Sequence, residues 1–121
     1  MILATHAIIY TEKPDEARAF FRDVLDLPSV DAHDGWLIFK LPPGELGIHP
    51  ADANVPGGRQ ELYLMCDDIT ATVAELEAKG VELTSPVTNQ GWGLVTGLRI
   101  PGGGQMGLYQ PRHATAYDLE T

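Results

Sequence analysis

The sequence predicts an α+β fold: a strand, a helix and three more strands, written twice in one chain. Three observations carry this. Short runs of β-branched and aromatic residues are separated by Gly, Pro and Asn clusters, the pattern of short strands and turns. Two stretches instead place apolar residues at helical spacing. The order of these elements then recurs about 55 residues later, so that His6 aligns with Glu61, Phe21 with Leu76 and Leu25 with Gly80. Gly35-Trp36 matches Gly91-Trp92, and Gly47 matches Gly107, at slightly larger offsets. The repeats cover about residues 3–50 and 60–112 of a single domain spanning 1–121, a length sufficient for a hydrophobic core.

Residues 5–10 read as the first strand, with Ile8, Ile9 and Tyr10 in it. Lys13-Pro14 opens a helix, with Asp15 and Glu16 where the helix dipole favours acids. Ala17, Phe20, Phe21, Val24 and Leu25 form its apolar face, and Leu27-Pro28 ends it. A weak strand over 29–33 and a stronger one over 35–41 follow. Pro42-Pro43-Gly44 then turns the chain into a strand over 44–50. Residues 50–59, with Pro50, Asn54, Pro56, Gly57 and Gly58, link the halves. In the second half, 61–66 is a strand, and Asp68 caps a helix with Ile69, Val73 and Leu76 on its buried stripe. Gly80 stands at the helix end. Strands are expected at 81–84, from Gly91-Trp92 to Ile100, and after the Pro101–Gly104 turn. The tail from His113 onward is expected to be loosely attached.

Composition excludes several partners. The formal net charge of −9 argues against nucleic acid or an anionic membrane as partner, since both need a basic face. No apolar run approaches the ~20 residues that span a bilayer, and the first residues lack the charged start and cleavage pattern of a signal peptide. The single cysteine, Cys66, has no partner for an internal disulfide, so a cytoplasmic location is expected.

Alternation along the four inner strands separates two faces. Ala7 and Ile9, Leu46 and Ile48, Leu62 and Leu64, Met106 and Leu108 are apolar and are expected to pack under the helices. The opposite face carries His6, Ile8 and Tyr10; Glu45, Gly47 and His49; Glu61, Tyr63 and Met65; Gln105, Gly107 and Tyr109. A mixture of histidine, tyrosine, carboxylate and glycine suits the lining of a small-molecule pocket. Trp36, Trp92, Tyr63 and Tyr109 are candidates to clamp a flat ligand or to sit over a cation. A Glu61 carboxylate in such a pocket is a candidate general base or counter-charge. Cys66 falls on the helix side as a small core residue. His33 and His113 sit in polar loops and read as surface residues.

Three stretches resemble the vicinal oxygen chelate superfamily, which includes glyoxalase I, extradiol dioxygenases, and fosfomycin and bleomycin resistance proteins. They are His6-Ala7-Ile8-Ile9-Tyr10 leading to Ala17-Arg18-Ala19-Phe20-Phe21, Leu64-Met65-Cys66-Asp67-Asp68-Ile69 leading to Ala74-Glu75-Leu76, and Pro101-Gly102-Gly103-Gly104 leading to Leu108-Tyr109-Gln110. The resemblance covers about residues 3–112. It implies two βαβββ modules whose curved mixed sheet surrounds a central cavity, with the helices outside, and it implies a homodimer. In metal-using members one ligand comes from the first strand and one from the last strand of each half. Here those positions fall on His6, Gly47, Glu61 and Gly107, so two of the four are glycine. His49 lies two residues beyond Gly47 on the same face, and His6, His49 and Glu61 would form a two-histidine, one-carboxylate set for Fe, Mn, Ni or Zn. Two classes of function follow from the resemblance. One is a binding protein similar to bleomycin resistance proteins, holding an aromatic or cationic ligand in a metal-free cavity. The other is a metal-dependent enzyme similar to glyoxalase I or an extradiol dioxygenase. A metal-free isomerase with Glu61 as base is a weaker third.

Overall fold

The computed structural model describes Met1 and residues 4–120. Helix α1 (Pro14–Ala19) starts at a proline whose fixed φ suits a first turn, with Asp15 and Glu16 behind it. It widens into a π turn over Phe20–Val24, where the Leu25 amide reaches the Phe20 carbonyl at 3.2 Å. The wider turn lets the adjacent Phe20 and Phe21 both enter the core, their rings edge to face at 5.3 Å. Strands β1 (Ser29–Asp31) and β2 (Leu37–Phe39) then form an antiparallel ribbon. Its turn passes through Asp34 and Gly35 at positive φ, and the Asp31 carboxylate accepts from the Gly35 amide at 3.1 Å.

The second half builds a four-stranded sheet from β3 (Tyr63–Met65), β4 (Thr88–Asn89), β5 (Gly93–Arg99) and β6 (Gln105–Pro111). The strand order is β3-β6-β5-β4, with β3 parallel to β6 and the other pairs antiparallel. Helix α2 (Ile69–Ala78) lies between β3 and β4 in sequence. Asp68 caps it, accepting from the Ala71 amide at 3.1 Å, and Gly80 ends it at φ +84°. The core gathers Ala17, Phe20 and Phe21 from the first half with Ile69, Leu76, Leu98, Met106 and Leu108 from the second. Burying each of the larger side chains contributes about 1.5–3 kcal/mol. Residues 11–13 are pinned to the β5–β6 turn: the Thr11 hydroxyl donates to the Pro101 carbonyl at 2.6 Å, and the Glu12 amide to the Gly102 carbonyl at 3.3 Å.

The fold class is the expected α+β, and the second half has the expected β-α-β-β-β order, but the sheet does not close. The expected strands over 5–10 and 44–50 are absent: both segments are exposed and outside any ladder. Strand conformation is held by hydrogen bonds to a neighbour, and a single chain supplies none here. Leu46 and Ile48, expected under the helices, are 86% and 84% exposed. The expected strand at 81–84 is reduced to one bridge, Leu83 to Leu98, and β4 forms later. The expected central cavity is also not enclosed by one chain. Two hollows lie elsewhere, one beside Val24, Lys79 and Arg99, the other beside Leu27-Pro28 and Pro42-Pro43. Among the described residues, no helix is long and apolar enough to cross a membrane.

Candidate functional site

The parallel pairing of β3 with β6 sets Tyr63 opposite Gly107. On the face away from the core, the Tyr63 ring lies directly over Gly107, and a Cβ there would run into Cγ, Cδ1 and Cε1 of that ring. Gly93 has the same relation to its neighbour: a Cβ would stand 2.9 Å from Cδ2 of Tyr109. Glycine at these two positions leaves room for the aromatic rings to come close to the sheet backbone. Trp92, just before β5, completes a wall of three rings set edge to face. Their centroids are 6.2 Å apart for Tyr63 and Trp92, 5.7 Å for Tyr63 and Tyr109, and 5.2 Å for Trp92 and Tyr109. Such contacts add to plain burial because the positive edge of one ring meets the negative face of the next. Tyr109 is buried, whereas Tyr63 and Trp92 are 38% and 41% exposed and present aromatic surface.

The wall continues into the C-terminal tail. The His113 ring stacks on Tyr109 at 5.9 Å and 24°. Its Nδ1 lies 2.8 Å from the Ala114 carbonyl, so in the neutral ring Nδ1 carries the proton and Nε2 accepts from the Tyr109 hydroxyl at 3.1 Å. Glu45 reaches in from the 44–50 segment. Its Oε1 accepts from the Ala116 and Tyr117 amides at 2.9 and 3.3 Å, and Oε2 lies 3.9 Å from Nε2 of His113. The tail is therefore fastened through 71 residues of sequence separation, not loosely attached as its composition suggested. At the other end of the wall, Arg59 holds Glu61 at 2.8 Å. Burial raises the Tyr63 phenol above its usual range, and the Glu61 carboxylate adds to the rise. Burial also raises Tyr109, with the Glu45 charge adding to it.

Of the residues singled out in the sequence, Tyr63, Trp92 and Tyr109 come together, with Glu61 at their edge. His6, Tyr10 and His49 do not join them; all three sit on the exposed unpaired segments. Trp36 stands apart under the Arg18 guanidinium, whose carbon is 4.8 Å from the ring centroid. Arg59 and His113 went unrecognised as site residues, and Glu45 was read only as one member of the pocket-lining face. Alternation could have found His113, since it is two steps of two beyond Tyr109 and shares its face when β6 runs to Pro111. Nothing local signals that Glu45 reaches the tail.

The donor set expected for a divalent metal does not fit one chain. No group of three His, Cys, Asp or Glu side chains among the described residues could hold an ion. Glu61 is already bound by Arg59, and the space beside Gly107 is filled by Tyr63.

Comparison with known proteins places this architecture. The model of the Glyoxalase/Bleomycin resistance protein/Dioxygenase superfamily matches residues 4–105. The antibiotic binding protein TnmS3 from Streptomyces sp. CB03234 is 25% identical, with 92% of this chain and 98% of that chain covered at a TM-score of 0.64. A superfamily member from Sphaerobacter thermophilus DSM 20745 is also 25% identical, with 90% and 98% covered at 0.61. Lactoylglutathione lyase from Agrobacterium tumefaciens shares the fold at 20% identity, with 89% and 92% covered at 0.61. No curated protein gives a significant sequence match. The chain belongs to the Glyoxalase/Bleomycin resistance protein/Dioxygenase superfamily.

Proposed function

We propose that this member of the superfamily is a binding protein for a flat aromatic small molecule, which stacks on the wall of Tyr63, Trp92 and Tyr109. The observation that carries the reading is the Tyr63 ring seated over Gly107. An aromatic surface stands where a metal-using relative would be expected to present a carboxylate. The resemblance to an antibiotic binding protein over nearly the full length of both chains supports the same reading. Glu61, held by Arg59, serves as an edge of the site and not as a free base.

We further propose that the chain is one unit of two modules, that it works in the cytoplasm, and that two copies pair. The exposed apolar segments 5–10 and 44–50 and the open edge of β3 support the pairing. His6, Tyr10 and His49 would then approach an aromatic wall from the pairing segments.

Titration of the protein with planar aromatic antibiotics, followed by tryptophan fluorescence, tests the binding. A saturable change is expected, weakened roughly tenfold or more in Trp92→Ala, since a stacking ring is worth on the order of 1 kcal/mol beyond its area. No change across a panel of planar ligands would remove this reading. So would stoichiometric Fe, Mn, Ni or Zn in the purified protein that is lost in His6→Ala.

A further inference from the structure

The two ends of the aromatic wall differ in charge, and the difference is set by who holds each carboxylate. At the Tyr63 end, Glu61 is 2.8 Å from the Arg59 guanidinium, so its charge is already answered. At the Tyr109 end, Glu45 has no Lys or Arg within 4.0 Å among the described residues. Its two oxygens are not equivalent. Oε1 is occupied by two backbone amides of the tail, at 2.9 and 3.3 Å. Oε2 has only the His113 ring, at 3.9 Å, beyond hydrogen-bond length. Nε2 of that ring already accepts the Tyr109 hydroxyl in the neutral form, so it has no proton to offer. Oε2 is therefore a carboxylate oxygen without a donor. It is held in place by the tail, on a side chain only 18% exposed, one imidazole away from the ring stack. A carboxylate held by two amides is preorganised, so a partner meets a fixed group and not a flexible one.

We propose that Glu45 is the specificity-determining residue of this site: it selects, among flat aromatic ligands, those that carry an ammonium, amidinium or guanidinium group at the edge that meets Oε2. The proposal rests on the aromatic wall being a ligand site. Electron-rich rings favour a cation over their faces, so wall and carboxylate act in the same direction. The tail residues Ala116 and Tyr117 are positioning residues, since their amides aim the carboxylate.

The test uses two planar probes of similar size, the 9-aminoacridinium cation and neutral 9-hydroxymethylanthracene. Affinities are read from tryptophan fluorescence on the full chain. The expected result is a preference of roughly tenfold or more for the cation in the wild type, shrinking in high salt as a surface-accessible ion pair is screened. In Glu45→Gln the ratio of the two affinities is expected to collapse toward unity. Glutamine keeps an acceptor for the two tail amides, so the tail stays fastened. Glu82→Gln, which removes the same unit of charge beside Arg99 and away from the wall, is expected to keep the ratio. A preference that persists in Glu45→Gln, or that is lost in Glu61→Gln instead, overturns the proposal while leaving the aromatic site standing. Equal binding of both probes by the wild type, or a preference indifferent to salt, overturns it without any variant. Binding of neither probe overturns the aromatic site and this assignment together.

Discussion

Gly107 and Tyr63 show how one residue changes what a position can do. In a strand, a residue without a side chain leaves a gap on the face its Cβ would occupy, and here the neighbouring ring fills it. Gly107→Ala is therefore expected to push the Tyr63 ring off the sheet and to cost about 1–3 kcal/mol, as overpacking does. Urea denaturation measures the loss, and the same variant is expected to lose binding of a planar ligand. An unchanged midpoint would mean that the ring is not seated there. The phenols give a second expectation. Tyr63 and Tyr109 are raised when folded, so the unfolded chain loses those protons first. Their contribution to stability is then present below the ordinary phenol value of about 10 and is lost as pH rises through the higher folded values. An ultraviolet titration is expected to show two of the four tyrosines ionising late, and to lose that late step in denaturant. Alternation alone brought Tyr63 and Tyr109 to one face, because side-chain direction in a strand is local. Glu45 and His113 were not recognised as partners, because their meeting depends on where a tail folds back.

At the scale of elements, legibility follows how local the stabilising contacts are. Helix α2 and its ends were readable because Asp68, the buried stripe and Gly80 all act within a few residues. Asp68→Ala is expected to cost roughly 1 kcal/mol, within the 0.5–2 kcal/mol range for such caps, while Asp68→Asn keeps most of the stability. Thermal melts of both variants check this, and equal losses in the two would rule out a capping role. The π turn after α1 was not readable, because Phe20 and Phe21 fit a regular helical stripe equally well. Its cause is tertiary: both rings are drawn into a core that also holds Leu98 and Phe39. The strands over 5–10 and 44–50 failed for the opposite reason. Their residues favour extended structure, but a strand is completed only by a neighbour.

The whole molecule carries the consequence of those unpaired segments. In the second half, the first strand runs parallel to the last, with Tyr63 opposite Gly107. The repeat aligns these two strands with the segments around Ile8 and Gly47, which pair with nothing in one chain. The order of elements in the second half was legible because it lies in local pattern; the open sheet was not, because closure depends on hydrogen-bond partners that local pattern does not fix. Ile8, Tyr10, Leu46 and Ile48 are each at least 65% exposed, and β3 ends the sheet with a free edge. Exposed apolar segments and an open sheet edge are complementary requirements, and both support the proposed pairing of two copies. Charge opposes the association, since each chain brings a net −9. Pairing is therefore expected to tighten with salt, as like charges are screened while apolar burial is kept. Light scattering at moderate salt is expected to give about twice the chain mass of 13.1 kDa. Leu46→Asp combined with Ile48→Asp places two further charges per chain on the pairing segment and is expected to give single chains that keep the α2 helix. A wild type that stays at the single-chain mass at every salt concentration would show that the segments pair in some other way, and would leave His6 and His49 without a route to the aromatic wall.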